Sequence, residues 1–159
     1  MIRPAQHPDI PAMINVIREA YEEMRYRDLY RCGLDEACAE RVLQCAMVSD
    51  QADVSVVELD GVVAGMCFVQ VSPVLWNDEA RVVTETVWHM HPHWPSARQK
   101  REWFIRMLDH MRSWAESQGA SCFVIGAAPG TPAEKLLHRH GLKHHENYYV
   151  GRSTWRPQR

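Results

Sequence analysis

A chain of 159 residues falls in the size range of one domain, able to bury roughly 70% of its unfolded surface without disulfide or metal staples. Hydrophobic residues make up 46% and charged ones 24%, which excludes general disorder, and a net charge of -2 gives no broad positive field for nucleic acid. No apolar run approaches bilayer-spanning length, so the expectation is a cytoplasmic protein with neither membrane nor nucleic-acid partners.

Ile2 to Ala5 reads as a short strand. Asp9 then offers a side-chain cap to a helix whose inner face is Ile10, Met13, Ile14, Ile17, Ala20, Tyr21 and Met24. Pro11 suits its first turn. A second helix is expected from Asp35 to Val48, with Ala39, Val42, Leu43, Ala46 and Met47 inward and Cys38 and Cys45 extending the stripe. The five cysteines, Cys32, Cys38, Cys45, Cys67 and Cys122, form no Cys-x-x-Cys pair and read as reduced, mostly buried thiols.

From Asp53 the pattern turns to strands. Val54 to Leu59 and Val62 to Val71 flank Asp60-Gly61, a strong hairpin signal, and Gly65 inside the second run suggests a bulge or a close backbone approach. After a turn over Pro73 to Glu79, Ala80 to Met90 reads as another long strand. Strict alternation places Val82, Thr84, Thr86, Trp88 and Met90 on one face, and Val83, Glu85, Val87, His89 and His91 on the other.

Beyond Pro92 and Pro95, Ser96 and Gln99 have capping-box spacing for a long helix that buries Trp103, Phe104, Met107, Leu108, Met111, Trp114 and Ala115 and ends at Gly119. Cys122 to Ile125 is a short apolar strand. Thr131 caps a short helix through His140, and Leu142 to Arg152 reads as a final strand. The organisation is one domain over residues 1–152 with a polar tail over 153–159.

This succession of elements resembles the GNAT acyl-CoA N-acyltransferases from about Ile2 to Tyr149. Three phrases carry the likeness: Ile2-Arg3-Pro4-Ala5 with Asp9-Ile10-Pro11, Glu58 to Gly65, and Leu136 to Leu142. The resemblance implies an α/β (α+β) fold with a mixed central sheet of six to seven strands flanked by about four helices. It also implies acetyl-CoA as cosubstrate, bound between splayed strands, and direct transfer of the acetyl group to a small-molecule or protein amine. The rival reading is a GNAT-shaped binding or structural module that has lost CoA.

The family's phosphate loop, Q/R-x-x-G-x-G/A, is not matched. In one register Gln99 to Phe104 occupies it, with Glu102 and Phe104 where glycines are expected. In the other the helix starts at Ser96, leaving Ala97, Arg98 and Gln99 to offer backbone N–H groups while Arg98, Lys100 and Arg101 supply charge. Altered loops of this kind are implied for phage-associated members. The expected CoA-contacting set is therefore Trp88, His89, Met90, Ala97, Arg98, Gln99, Lys100 and Arg101. A basic first turn turned to solvent is the plainer alternative.

The amine must lose a proton before it attacks. Glu85 matches the family's strand carboxylate, and His89 or His91 on the expected common face offers an imidazole for the same relay. The family's acid, a Tyr in the closing helix, corresponds to Leu137, so Tyr148 is the candidate donor, with Tyr149 and His138 behind it. Alternating His89, His91 and His93, with His144 and His145, invite a metal, but Pro92 interrupts the run and no metal site is assigned. Trp76 and Trp94 suit an acceptor pocket, a core edge or a homodimer contact equally.

Overall fold

The computed structural model describes residues 1–24, 32–74, 77–91, 96–127 and 130–144. Strand β1 (Ile2–Pro4) leads through a 3-10 turn (His7–Asp9) into α1 (Ile10–Glu23) and α2 (Glu36–Met47). Then come β2 (Ala52–Leu59), β3 (Val62–Val74), β4 (Asn77–Met90), α3 (Ala97–Ser117), β5 (Cys122–Val124) and α4 (Pro132–Arg139). The strands lie in the order β1-β2-β3-β4-β5. All neighbours are antiparallel except the last pair, in which β5 returns parallel to β4 after the α3 crossover.

Alternation along the strands sends successive side chains to opposite faces, and a helix layer covers each. Ile10, Met13 and Ile14 of α1 and Leu43 of α2 pack against Val54, Val56, Met66 and Phe68. On the other face Met107, Met111 and Ala115 of α3 pack against Val57, Cys67, Val69 and Val83. The Asp60-Gly61 hairpin forms with positive φ at both residues (51° and 78°), as a tight two-residue turn requires. Gly65 is the close approach its position suggested, since an added Cβ would lie 2.6 Å from the His89 carbonyl oxygen.

Several local expectations are corrected. Asp9 makes no side-chain cap bond to α1. Its carboxylate instead accepts both Arg3 Nη1 (2.7 Å) and Nη2 (2.9 Å) and the Gln6 N–H (2.7 Å), tying β1 to the helix entry. A stronger, charge-assisted partner has outcompeted the local cap. Val16 is buried where Met24 was expected, Met24 being 41% exposed. On α2 only Leu43 and Ala46 are buried, Val42 is exposed, and Cys38 and Cys45 lie on the open face. Of the five thiols only Cys67 is buried; Cys38 and Cys45 lie on the side of α2 turned away from the sheet, and Cys32 and Cys122 lie outside that helix.

The turn expected over Pro73 to Glu79 is shorter, since β3 and β4 continue until Val74 pairs with Asn77, and a register irregularity beside Pro73 absorbs its missing donor. The described residues hold five strands, not six or seven. Leu142 to His144 are not in a strand, and the rest of the expected closing strand, with the polar tail, lies outside the described residues.

Candidate functional site

The site is built where β4 leaves β5. Their pairing covers three positions, Val82 with Cys122, Val83 with Phe123 and Thr84 with Val124. Beyond Thr84, β4 keeps its partner β3 while β5 ends at Val124, which leaves that edge of β4 with no strand pairing among the described residues; this opening is the fork. Two β4 side chains reach Gly126, just past β5. Glu85 Oε2 accepts the Gly126 N–H at 3.2 Å, and Trp88 Nε1 donates to the Gly126 carbonyl at 3.1 Å. Both bonds cross the fork.

A bulge lies at the same place. Val69 pairs with Glu85 and Phe68 with Val87, which leaves Thr86 as an extra residue on β4. The insertion reverses the alternation. Val83 lies in the core under α3, Val87 packs in the α1 and α2 core, and Trp88 packs on the α3 side again. Glu85 precedes the bulge and keeps the phase of Val83, whereas His89 and His91 face α1. The expected common face for Glu85, His89 and His91 is therefore corrected.

Toward α1, His89 Nε2 lies 3.7 Å from Glu23 Oε2, and His91 Nε2 lies 2.9 Å from Glu19 Oε1. Burial lowers the His89 pKa, the Glu23 carboxylate opposes that, and the cationic end of Lys100 and His91 lower it further. Glu85 shifts the other way. Burial pushes its carboxyl up to about 7 from the ordinary 4.5, with the Gly126 N–H pulling it partly back. A carboxyl titrating near neutrality is suited to proton transfer.

Between the two sequence registers, the structure adopts the one in which α3 begins at Ala97. Ser96 is its N-cap and forms the reciprocal capping box with Gln99. Gln99 to Phe104 are thus helical rather than a loop, which explains why Glu102 and Phe104 are tolerated where the family pattern has glycines. Ala97, Arg98, Gln99, Lys100 and Arg101 make up the first turns. Among the described residues, the Ala97 and Arg98 N–H groups have no acceptor, as first-turn donors normally do not. Arg98 pairs with Glu102 at 3.1 Å on the surface, and Lys100 Nζ sits 5.9 Å from the Phe104 ring centroid.

The N-terminal half of α3 adjoins the fork through an edge-on contact of Trp88 with Phe104, two turns into the helix, ring centroids 4.9 Å apart. Met90, included in the expected contact set, is fully buried beneath Gly65, so its side chain belongs to the core. Leu137 is likewise buried in α4 and supplies no hydroxyl. Tyr148 and Tyr149 lie outside the described residues, as do Trp76, Trp94, His93 and His145. Gly126 is the site residue that sequence reading missed, and its one signal is its place directly after the apolar run Cys122 to Ile125. A depression of about 550 Å³ lies elsewhere, lined by His7, Pro11, Asn15 and Glu40 among others, and does not adjoin the fork.

No family model and no curated protein sequence matches the chain. Solved structures do. An aminoglycoside N-acetyltransferase, AAC(6')-Iy in complex with CoA, superimposes with a TM-score of 0.71 at 14% identity, covering 98% of this chain and 95% of that one. A GNAT family acetyltransferase from Staphylococcus aureus gives 0.64 at 11% identity, covering 96% and 97%. The chain has the GNAT fold. A transcriptional regulator from Bacillus halodurans C-125 is as similar, with a TM-score of 0.73 at 17% identity over 95% and 98%, so the GNAT fold does not by itself fix an activity. No helix among the described residues is long and apolar enough to cross a membrane.

Proposed function

We propose that the protein is an N-acetyltransferase that passes the acetyl group of acetyl-CoA to an amine. The observation that carries this reading is the fork between β4 and β5, opening at a carboxyl tuned to neutrality beside a capped helix end. Acetyl-CoA is a linear thioester with an anionic pyrophosphate. The first-turn N–H groups of Ala97 and Arg98, without an acceptor among the described residues, fit that anion, with the positive end of α3 and the Lys100 and Arg101 charges behind them.

The thioester end then lies along the forked part of β4, with Glu85 at the root. Glu85 accepts the proton of the incoming ammonium, either directly or through a water. The amine nitrogen forms its bond to the acetyl carbon, the C–S bond breaks, and the sulfur leaves as thiolate to be protonated. Leu137 cannot give that proton, so Tyr148 stands as the proposed donor. His89, on the α1 face and held largely neutral by burial, is the second proton acceptor, placed to serve an amine arriving from the α1 side.

The rival is a GNAT-shaped binding module without CoA, and one observation favours it. Trp88 and Glu85 both bridge to Gly126, so the fork is crossed by side chains that CoA would have to displace. The Trp88 indole N–H therefore separates the two readings. Its NMR resonance, assigned with Trp88→Phe, is expected to move when CoA is titrated into the full chain. A resonance indifferent to millimolar CoA overturns the enzyme and leaves the module.

A further inference from the structure

On the α3 face of the sheet, where Cys67 pairs across β3 and β4 with Trp88, three metal-ligating side chains of different chemistry converge. Asp53 and Ser55 are alternate residues of β2 and share a face, Cys67 of β3 is the register partner of Ser55, and His110 descends from α3. His110 Nε2 lies 2.8 Å from Asp53 Oδ2 and 3.1 Å from Ser55 Oγ, and Ser55 Oγ lies 3.1 Å and 3.2 Å from the two Asp53 oxygens. The ligand atoms of Asp53, Cys67 and His110 all fall within 4.8 Å of one another. The three residues come from three separate elements. No sequence motif announces them, because their spacing is 14 and 43 positions along the chain.

We propose that Asp53, Cys67 and His110 form a zinc site that fastens α3 to β2 and β3. A borderline-soft ion suits one thiolate, one imidazole and one carboxylate, whereas magnesium or calcium would call for an oxygen set. Tetrahedral bonds of about 2.0–2.3 Å put ligand atoms roughly 3.3–3.8 Å apart, so the hydrogen-bonded His110–Asp53 pair at 2.8 Å would open by about half an ångström and the wider separations, all within 4.8 Å, would close. Charge also balances. A thiolate and a carboxylate neutralise the dication, leaving a neutral centre in a site where Ser55 and Cys67 are fully buried.

The fourth position falls to the Ser55 hydroxyl or to water, which enters past His110, the more exposed ligand at 32% against 14% for Asp53. Binding requires Cys67 to exchange its proton for the metal: the S–H bond breaks, the S–Zn bond forms and one proton is released to solvent. Burial and the neighbouring Asp53 carboxylate hold that thiol protonated well above the usual range when no cation is present. Zinc supplies the charge that reverses the preference. The ion's role is a structural brace, since its ligands come from β2, β3 and α3 and would tie the helix to both strands.

The test is equilibrium dialysis of the full-length protein against zinc, with elemental analysis, together with cobalt substitution read by absorption. One zinc per chain, about one proton released per ion, and a thiolate-to-cobalt charge-transfer band are expected in the wild type. Cys67→Ala and His110→Gln are expected to lose both the stoichiometric zinc and the band. The apo forms of both variants are melted alongside, and His110→Gln, at a part-exposed position, is the variant expected to keep its fold. Four other cysteines are exposed and offer competing thiols, so zinc retained in both variants overturns the proposal. So does a cobalt complex without the thiolate band, or a wild type that dialyses metal-free.

Discussion

Replacing Glu85 with Gln gives a quantitative test of the half-buried carboxyl at the fork. In the unfolded chain this group ionises near the ordinary 4.5, and burial in the folded protein moves it to about 7. Between those values the folded state holds a proton that the unfolded state has released, so stability falls as pH rises. The contribution is complete below about pH 4.5, is lost across the interval to about pH 7, and is flat above it. At about 1.36 kcal/mol per pH unit the full loss is about 3 kcal/mol, and nearer 2 kcal/mol if partial hydration screens the charge. Gln carries no proton to titrate and still accepts the Gly126 N–H. Urea unfolding of both proteins between about pH 5 and pH 8 should therefore show Glu85→Gln gaining about 2–3 kcal/mol on the wild type as pH rises, because all other titrations cancel in the difference. Parallel stability curves would refute the reasoning, as they would place Glu85 in water.

Other positions give independent checks. Gly65→Ala forces a Cβ to within 2.5 Å of Met90 Sδ and 2.6 Å of the His89 carbonyl, and should cost about 1–3 kcal/mol in urea while perturbing Trp88 fluorescence. Arg3→Ala leaves the Asp9 carboxylate without its two-pronged partner and should cost about 1–3 kcal/mol at neutral pH. The Arg3 bond holds Asp9 below its ordinary pKa, so this stabilisation is present above the carboxylate range and lost as pH falls through it. Wild-type and variant curves should meet in acid. Asp35→Ala removes the acceptor for the Cys38 N–H at the start of α2 and should cost about 1 kcal/mol, with Asp35→Ser recovering most of it.

Elements whose cause is local were legible in the sequence. The Asp60-Gly61 hairpin, the Ser96 and Gln99 box and the apolar faces of α1 and α3 each follow from residues a few positions apart, and the structure contains them. What was not legible depends on distant partners. Asp9 has the look of a cap, but Arg3 reaches it from another element. The Thr86 bulge carries no signature of its own, yet one inserted residue turns Glu85 away from His89. Cys38 and Cys45 fit a helical stripe whose outer half no described residue covers. Gly126, and the meeting of Asp53, Cys67 and His110, exist only once β2, β3, α3 and the end of β5 are set in space.

The central claim is that the forked sheet and the first turn of α3 receive acetyl-CoA, and ligand-linked stability measures it most directly. Thermal unfolding of the full chain with acetyl-CoA at about 100 times its dissociation constant should show a gain of about 2.7 kcal/mol, weakened when Lys100 and Arg101 are both changed to Ala. A melting curve that millimolar acetyl-CoA leaves in place contradicts it.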